Sequence, residues 1–441
     1  MEKDLTKVTG YITRFLLGNE NEGYAKHIGY TSDKEEFSSY KLVILPSVFF
    51  DQSIYGTIQS SPALPLSLWE DVPLLFGSPE IKKSDNTLIS HADIIASTFF
   101  LISRYEEVIR RDERDQHGRF PGISSLPFRA GFLHRPVVDE YGKLLRKLLK
   151  ETGIDIREPE EKFRKIYLTH DVDQLAHYRN FRGMGGAISR FFKNPYQALK
   201  AVQTFAGGIQ NDPWFTFPWF FELAEELKTE NSGVEIENII FIKTGGGDLM
   251  TDKPLHDIRD KDFSRLFALC KQFGVKIGLH PSYQAGLEPD KIANEKKILD
   301  ETIDQHTSYS RNHFLSNREP EDMQELIEAG FTDDFTMAYA DRAGFRLGTS
   351  RAVKWINPLT LQLTNLTLHP LILMDSTLSD DRYMKLRTDE AFSFSKKMID
   401  LVKKYNGDLV LLWHNTTVEK HNGQYHRELY RWVMNYLKIQ A

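Results

Sequence analysis

The sequence predicts an α/β protein in two parts: a smaller mixed α/β domain over residues 1–155 and a larger β/α unit over 156–441. Three observations carry this reading. A polar stretch at 153–161, with Pro159 inside it, separates two different patterns. Beyond it, short β-type runs alternate with amphipathic helical stretches, which is the mark of βαβ units and a parallel sheet. About seven such units span 156–441, in keeping with a β/α barrel of typically about 250 residues. An open doubly wound sheet is the alternative.

In the first part, the apolar run 41–45 (KLVIL), closed by Pro46, predicts a buried strand. Residues 91–110 predict one helix, with Ile94, Ile95, Phe99, Leu101 and Ile102 on a broad apolar stripe. The polar run 112–118 ends in Gly118 and reads as a loop, and 140–149 as a second helix. Arg104, Arg110, Arg111 and Arg114 stand among Glu106, Asp112 and Asp115; such a cluster reads as a solvated, self-paired face. In the second part, strands are expected at 166–169, 239–243, 275–279, 309–315, 331–337, 366–373 and 408–413. Helices are expected at 220–228, 263–273, 290–305, 320–329, 390–405 and 425–437. Gly245, Gly246 and Gly247 lack the spacing of a dinucleotide-binding loop.

Composition narrows the function classes. The chain has 441 residues, 41% hydrophobic, 12% aromatic and 27% charged, which excludes disordered, collagen-like and disulfide-scaffold proteins. Lys and Arg number 56 against 62 Asp and Glu, a net charge of −6, which argues against a sequence-independent nucleic-acid binder. Cys270 stands alone, so no intrachain disulfide is expected. The opening MEKDLTKVTG has no apolar core of a secretory signal. The longest apolar stretches, such as 94–103, are about half the roughly 18–20 residues a membrane span needs. A soluble cytoplasmic protein without a transmembrane segment is expected.

In a β/α barrel, reacting groups gather at the C-terminal ends of the strands. The first strand runs into Thr169-His170-Asp171-Val172-Asp173. Alternation puts Asp171 and Asp173 on one face and turns His170 away. Two carboxylates at a strand end repel unless a cation or proton lies between them. That pairing suits a divalent metal beside a general base. The third strand ends at His280, before Pro281; the fourth carries Arg311 and His313, expected on one face; the sixth ends in Asp375 and the seventh in Trp413-His414. One such residue is commonplace, but five strand ends with ionisable groups make a convergent constellation. Trp413 alternates to the opposite face and is expected to pack.

This set and order of residues resembles the polysaccharide deacetylase family, carbohydrate esterase family four, over about 156–441. The resemblance implies a distorted barrel of about seven β/α units, and a hydrolase that cleaves the amide C–N bond of acetylated sugars with a divalent metal, usually zinc. THDVD at 169–173 resembles a D-x-D variant of the family's first motif; it implies Asp171 as catalytic base and Asp173 as metal ligand. His280 matches the first histidine of the second motif, but Gln284 stands where the family has the second. Arg311 matches the arginine that orients the base, and Leu411–His414 the motif whose histidine is the general acid. Asp341 and Asp375 are candidates for the acid that orients His414, with Asp375 preferred for its strand-end position. The oxyanion would be met by the metal and a backbone N–H, that of Tyr283 being one candidate. Residues 1–155 resemble the α/β domain that precedes the barrel in a Bacteroidetes-type branch.

The substitution at Gln284 leaves Asp173 and His280 as two ligands, whereas a catalytic zinc normally has three and an open position. His313 is the candidate third; a turned-in Asp171 or a water would complete a looser site. The alternative is a catalytically weakened or inactive glycan-binding or assembly protein on the same barrel. Between Asp173 and Asp212 there is no acid, while Arg179, Arg182, Arg190, Lys193 and Lys200 interleave with Phe181, Ile188, Phe191, Phe192, Tyr196 and Leu199. Such a segment suits an anionic or lipid-linked carbohydrate substrate or a membrane surface, or simply packs its aromatic side on the barrel.

Overall fold

The buried aliphatic runs build two parallel-strand sheets. The computed structural model describes residues 2–179, 185–186 and 195–440. In the N-terminal part, β1 (Ile28–Tyr30), β2 (Leu42–Ile44), β5 (Gly77–Ser84) and β6 (Thr87–Ala92) form a sheet of order β1-β2-β6-β5. Its pairs are parallel except β5 with β6. β3 (Ser67–Trp69) and β4 (Val72–Leu74) form a separate antiparallel pair. The expected strand at 41–45 is β2, buried throughout. Helices Glu2–Leu17, Ile94–Ile102 and Val137–Glu151 pack into the same apolar core.

The helix expected over 91–110 is instead three pieces. His91 and Ala92 end β6, and the Asp93 carboxylate caps Ile94–Ile102 by accepting from Ala96 N at 2.9 Å. Arg104 then adopts left-handed backbone, φ 61°, before a short helix Tyr105–Ile109. Buried ion pairing explains the break. Arg104 donates to Glu107 Oε2 at 2.5 Å and to Asn317, and Arg346 donates to Glu107 Oε1 at 2.8 Å. The arginine cluster is only partly a solvated, self-paired face: Arg110 does pair with Glu106, but Arg104, Glu106 and Glu107 are buried, and Arg111 and Arg114 pair with Glu319 across the molecule.

The second sheet comprises β7 (Lys165–Val172), β8 (Glu235–Ile242), β9 (Lys276–Leu279), β10 (Tyr309–Ser310), β11 (Asp333–Asp334), β12 (Val353–Asn357), β13 (Gln362–Leu368), β14 (Leu373–Met374) and β15 (Asp408–Leu412). Their order is β12-β13-β11-β10-β9-β8-β7-β15-β14, all pairs parallel except β12 with β13. Among the described residues no ladder joins the two edge strands, β12 and β14, so the sheet is not closed. Side chains alternate between two cores. Tyr167, Ile239, Phe241, Val410 and Leu412 fill one face with Phe335. Ile166, Leu168, Ile240, Ile242 and Leu411 face the other way, toward the helices.

Several expected strands are shorter. The strand expected at 309–315 ends at Ser310, and the chain enters a turn at 313–315 with left-handed backbone at Phe314 (φ 60°) and Leu315 (φ 53°). That at 331–337 shrinks to β11, and that at 366–373 splits into β13 and β14 around Pro370, which has no N–H for a ladder. Among the described residues, no helix is long and apolar enough to cross a membrane.

Candidate metal and acid–base centre

The row Tyr167, Thr169, Asp171 runs along one face of β7, and the chain carries it on to Asp173. Parallel neighbours place the ends of β9, β10, β14 and β15 beside it. Asp173 Oδ1 lies 3.2 Å from His280 Nε2 and 3.3 Å from His313 Nε2. One ligand-capable atom from each of these three residues lies within 4.8 Å of the others. Asp171 Oδ2 is 3.7 Å from His280 Nε2, and His414 Nε2 is 3.7 Å from Asp173 Oδ2. The site residues expected from the sequence thus meet at one mouth: Asp171, Asp173, His280, Arg311, His313, Asp375 and His414.

Each is held by specific partners. Arg311 is fully buried; its Nη1 donates to Thr169 Oγ1 at 2.7 Å and to Asp171 Oδ1 at 3.1 Å, and its Nε to Phe335 O at 3.1 Å. His280 Nδ1 lies 2.6 Å from Arg311 O. Burial lowers the Arg311 and His313 pKa values, which Asp171 and Asp173 respectively oppose. Burial also raises the Asp173 carboxyl, but His313, His280 and His414 outweigh it and hold it well below the usual range. Asp375 Oδ1 is 2.7 Å from His414 Nδ1, Asp375 Oδ2 accepts from His414 N at 2.8 Å, and Thr417 donates to Oδ2 at 2.5 Å. Burial lowers the His414 pKa, yet the Asp375 charge and hydrogen bond, with Asp173 and Asp171, raise it to about 10.

The donor set fits a cation. A carbonyl only accepts, so His280 Nδ1 carries a proton toward Arg311 O, and in the neutral ring Nε2 is the lone pair that a cation would take. That lone pair faces Asp173 Oδ1, a buried oxygen without a hydrogen-bond partner. Two acceptors 3.2 Å apart repel unless a positive charge lies between them. Two imidazole nitrogens and a carboxylate oxygen suit a first-row divalent ion.

Other residues fall elsewhere. Gln284 donates to Glu288 Oε1 at 3.1 Å and is turned from the triad. Asp341 accepts from Gly122 N at 2.7 Å, away from His414. His170 stacks on Phe220, ring centroids 3.9 Å apart, with Nδ1 2.9 Å from Trp413 O. Trp413 is buried against Tyr430. The Tyr283 N–H is not free for an oxyanion, because it donates to Asp252 Oδ1 at 2.8 Å. Arg311 and His313 reach the site from a turn rather than by strand alternation.

Sequence reasoning misses the supports. Asp252 also accepts from Gly247 N and Gln284 N, while Glu295 accepts from Ser282 N and Oγ, so two buried acids fix the loop after His280. His256 Nε2 donates to Asp173 O at 2.9 Å, and burial lowers its pKa to about 4, keeping it neutral. The one sequence signal is that Asp252 and His256 closely follow the glycines at 245–247; Glu295 has none. In the basic segment, Arg179 binds Asp262 at 2.5 and 3.0 Å, and helix Pro195–Gly207 carries Lys200, Tyr196 and Leu199. Arg182, Arg190, Lys193, Phe181, Ile188, Phe191 and Phe192 lie outside the described residues.

Comparison with known proteins gives three findings. A model of a family of unknown function, DUF7033, matches residues 5–154. No curated protein matches the chain. Two solved structures align with it. One is a candidate polysaccharide deacetylase from Mycobacterium smegmatis, 12% identical over 64% of this chain and 86% of that one, TM-score 0.40. The other is a candidate polysaccharide deacetylase involved in O-antigen biosynthesis from Bordetella bronchiseptica, 15% identical over 66% of this chain and 90% of that one, TM-score 0.30.

Proposed function

We propose that this chain is a metal-dependent hydrolase that removes an acetyl group from an amino sugar of a glycan or glycan precursor. Residues 156–441 form the hydrolase unit, a distorted barrel of the polysaccharide deacetylase type left open between β12 and β14, and 1–155 an accompanying α/β domain. The observation that carries the reading is the triad Asp173, His280 and His313, flanked on one side by Asp171–Arg311 and on the other by His414–Asp375.

Asp173, His280 and His313 would hold the ion, with zinc the best match to their donors. A divalent cation there supplies Lewis acidity to the acetyl carbonyl and acidifies water. Asp171 takes a proton from the attacking water, and the Arg311 guanidinium at 3.1 Å holds the base in place. The water oxygen bonds to the carbonyl carbon, and the C–N bond then breaks to give acetate and amine. His414 Nε2 delivers the proton to the leaving nitrogen, and Asp375 holds the opposite ring nitrogen protonated. A pKa near 10 keeps His414 in its acid form at neutral pH.

The test is direct. Purified protein is assayed for bound metal and for acetate release from N-acetylhexosamine oligosaccharides, beside Asp171→Asn. We expect about one divalent ion per chain in both, with acetate release lost in the variant. Neither metal nor acetate release in the wild type would favour the non-catalytic glycan-binding reading, to which the turned-away Gln284 lends its one support.

A further inference from the structure

The segment 112–122, from the N-terminal part, ends on the loops that carry the triad. Arg119 Nη1 donates to Phe314 O at 2.7 Å, next in sequence to His313. The His117 ring lies 5.0 Å from the Phe314 ring and 5.7 Å from that of Tyr283, its Nδ1 3.2 Å from the Tyr283 hydroxyl. Phe314 in turn stands 4.6 Å from His313, ring to ring. The N-terminal part therefore forms a wall immediately beside the candidate metal ligands.

Arg318 is the unusual member of that wall. Its Nε donates to His117 O at 2.8 Å, and its guanidinium stands over the Tyr283 ring at 5.1 Å. Its Nη1 is buried without a hydrogen-bond partner, and among the described residues it has no ion-pair partner. The neighbouring Arg119 and Arg382 are both matched, by Asp115 and Asp380. A half-buried guanidinium without a counter-charge is costly unless a ligand provides one. The site is fitted to Arg318: Gly118 has φ +74°, and a Cβ there would lie 2.6 Å from Arg318 Nε. Burial and the charges of Arg119, Arg382 and Arg318 lower the His117 pKa, Asp115 opposing, so His117 adds no competing positive charge.

We infer that His117 and Arg318 form a subsite on the wall contributed by 112–122, where Arg318 binds an anionic group of the glycan beside the acetylated sugar. This rests on the hydrolase reading of the triad. The guanidinium fork accepts two oxygens of one anion, so a uronate carboxylate and a sugar phosphate share the needed chemistry.

The experiment compares kcat/KM of the full chain and of Arg318→Gln on three acetylated oligosaccharides: neutral, uronate-bearing and phosphate-bearing. The wild type should prefer an anionic one, and the variant should lose about tenfold of the anionic-to-neutral ratio. A loss confined to the uronate or to the phosphate substrate supports the subsite and identifies the anion. An unchanged ratio with both overturns the inference while leaving the hydrolase reading standing. Arg318→Lys checks for misfolding and should restore part of the ratio. Calorimetric binding of the same three oligosaccharides to both proteins separates the two readings. If nothing is hydrolysed but Arg318→Gln weakens anionic binding, the subsite stands and the hydrolase reading falls; equal or absent binding sinks the subsite.

Discussion

The Asp375 carboxylate holds His414 twice, its Oδ1 2.7 Å from the ring Nδ1 and its Oδ2 2.8 Å from the backbone N. This fixes both the tautomer and the ring plane. Because the His414 pKa is raised to about 10, the ring is protonated below that value, and kcat should stay level until pH rises through it. Asp375→Asn removes the chief raising influence, so the fall in kcat should begin at lower pH. At pH 7 kcat should drop about 10²–10⁴-fold, the typical worth of a positioned acid. Superimposable pH profiles of wild type and variant would remove His414 from the acid role.

Asp173→Asn and His313→Ala should abolish stoichiometric metal. Affinity should fall by more than the roughly 10–100-fold typical of a supporting residue. Gln284→Ala should retain the metal, since its side chain bonds Glu288. Elemental analysis after dialysis against a weak chelator distinguishes the three variants.

Gly245→Ala should weaken metal binding from a distance. A Cβ at Gly245 would fall 2.0 Å from Glu295 Oε1, and Glu295 holds Ser282, two residues after His280. Glu295 must shift, and His280 loses its anchored loop. Titration of the apo protein with zinc should give a dissociation constant about tenfold weaker, with the circular dichroism spectrum unchanged.

Glu107→Gln should destabilise the fold by about 3–5 kcal/mol, because it leaves Arg104 and Arg346 buried and unmatched. Burial raises the Glu107 pKa, but the two arginines outweigh it and bring it to about 2, below the ordinary 4.5. A depressed carboxylate stabilises the folded state above its unfolded pKa, and that stabilisation is lost as pH falls through the folded one. Urea denaturation should therefore show a wild-type advantage at pH 7 that shrinks between about pH 4.5 and 2.

Much of the site is legible in the sequence because it depends on strand periodicity. Asp171 and Asp173 share a face for the same reason that Tyr167 and Thr169 do, and His170 is sent among the helices by the same rule. His313 is legible as a residue type but not as a geometry, since the left-handed backbone at Phe314 and Leu315 delivers it. The burial of Arg104 is not legible, because a local run of charges does not reveal partners at 317 and 346. Asp252, Glu295 and His256 act through backbone atoms far along the chain, a relationship with no local periodic trace. The gap between β12 and β14 likewise depends on pairing partners rather than on either strand's composition.

Two ion pairs between distant parts of the sequence also bear on how the chain can be divided. Arg346 is matched by Glu107, and Arg351 by Asp139 at 2.6 Å, each carboxylate coming from the first third of the sequence. A fragment starting after residue 155 would lose both carboxylates, uncover the surface that Phe15 shields around Arg351, and strip the wall from one side of the candidate metal site. The leading segment supplies counter-charges and cover to the trailing one, so residues 156–441 expressed alone should be less stable than the same residues in the full chain.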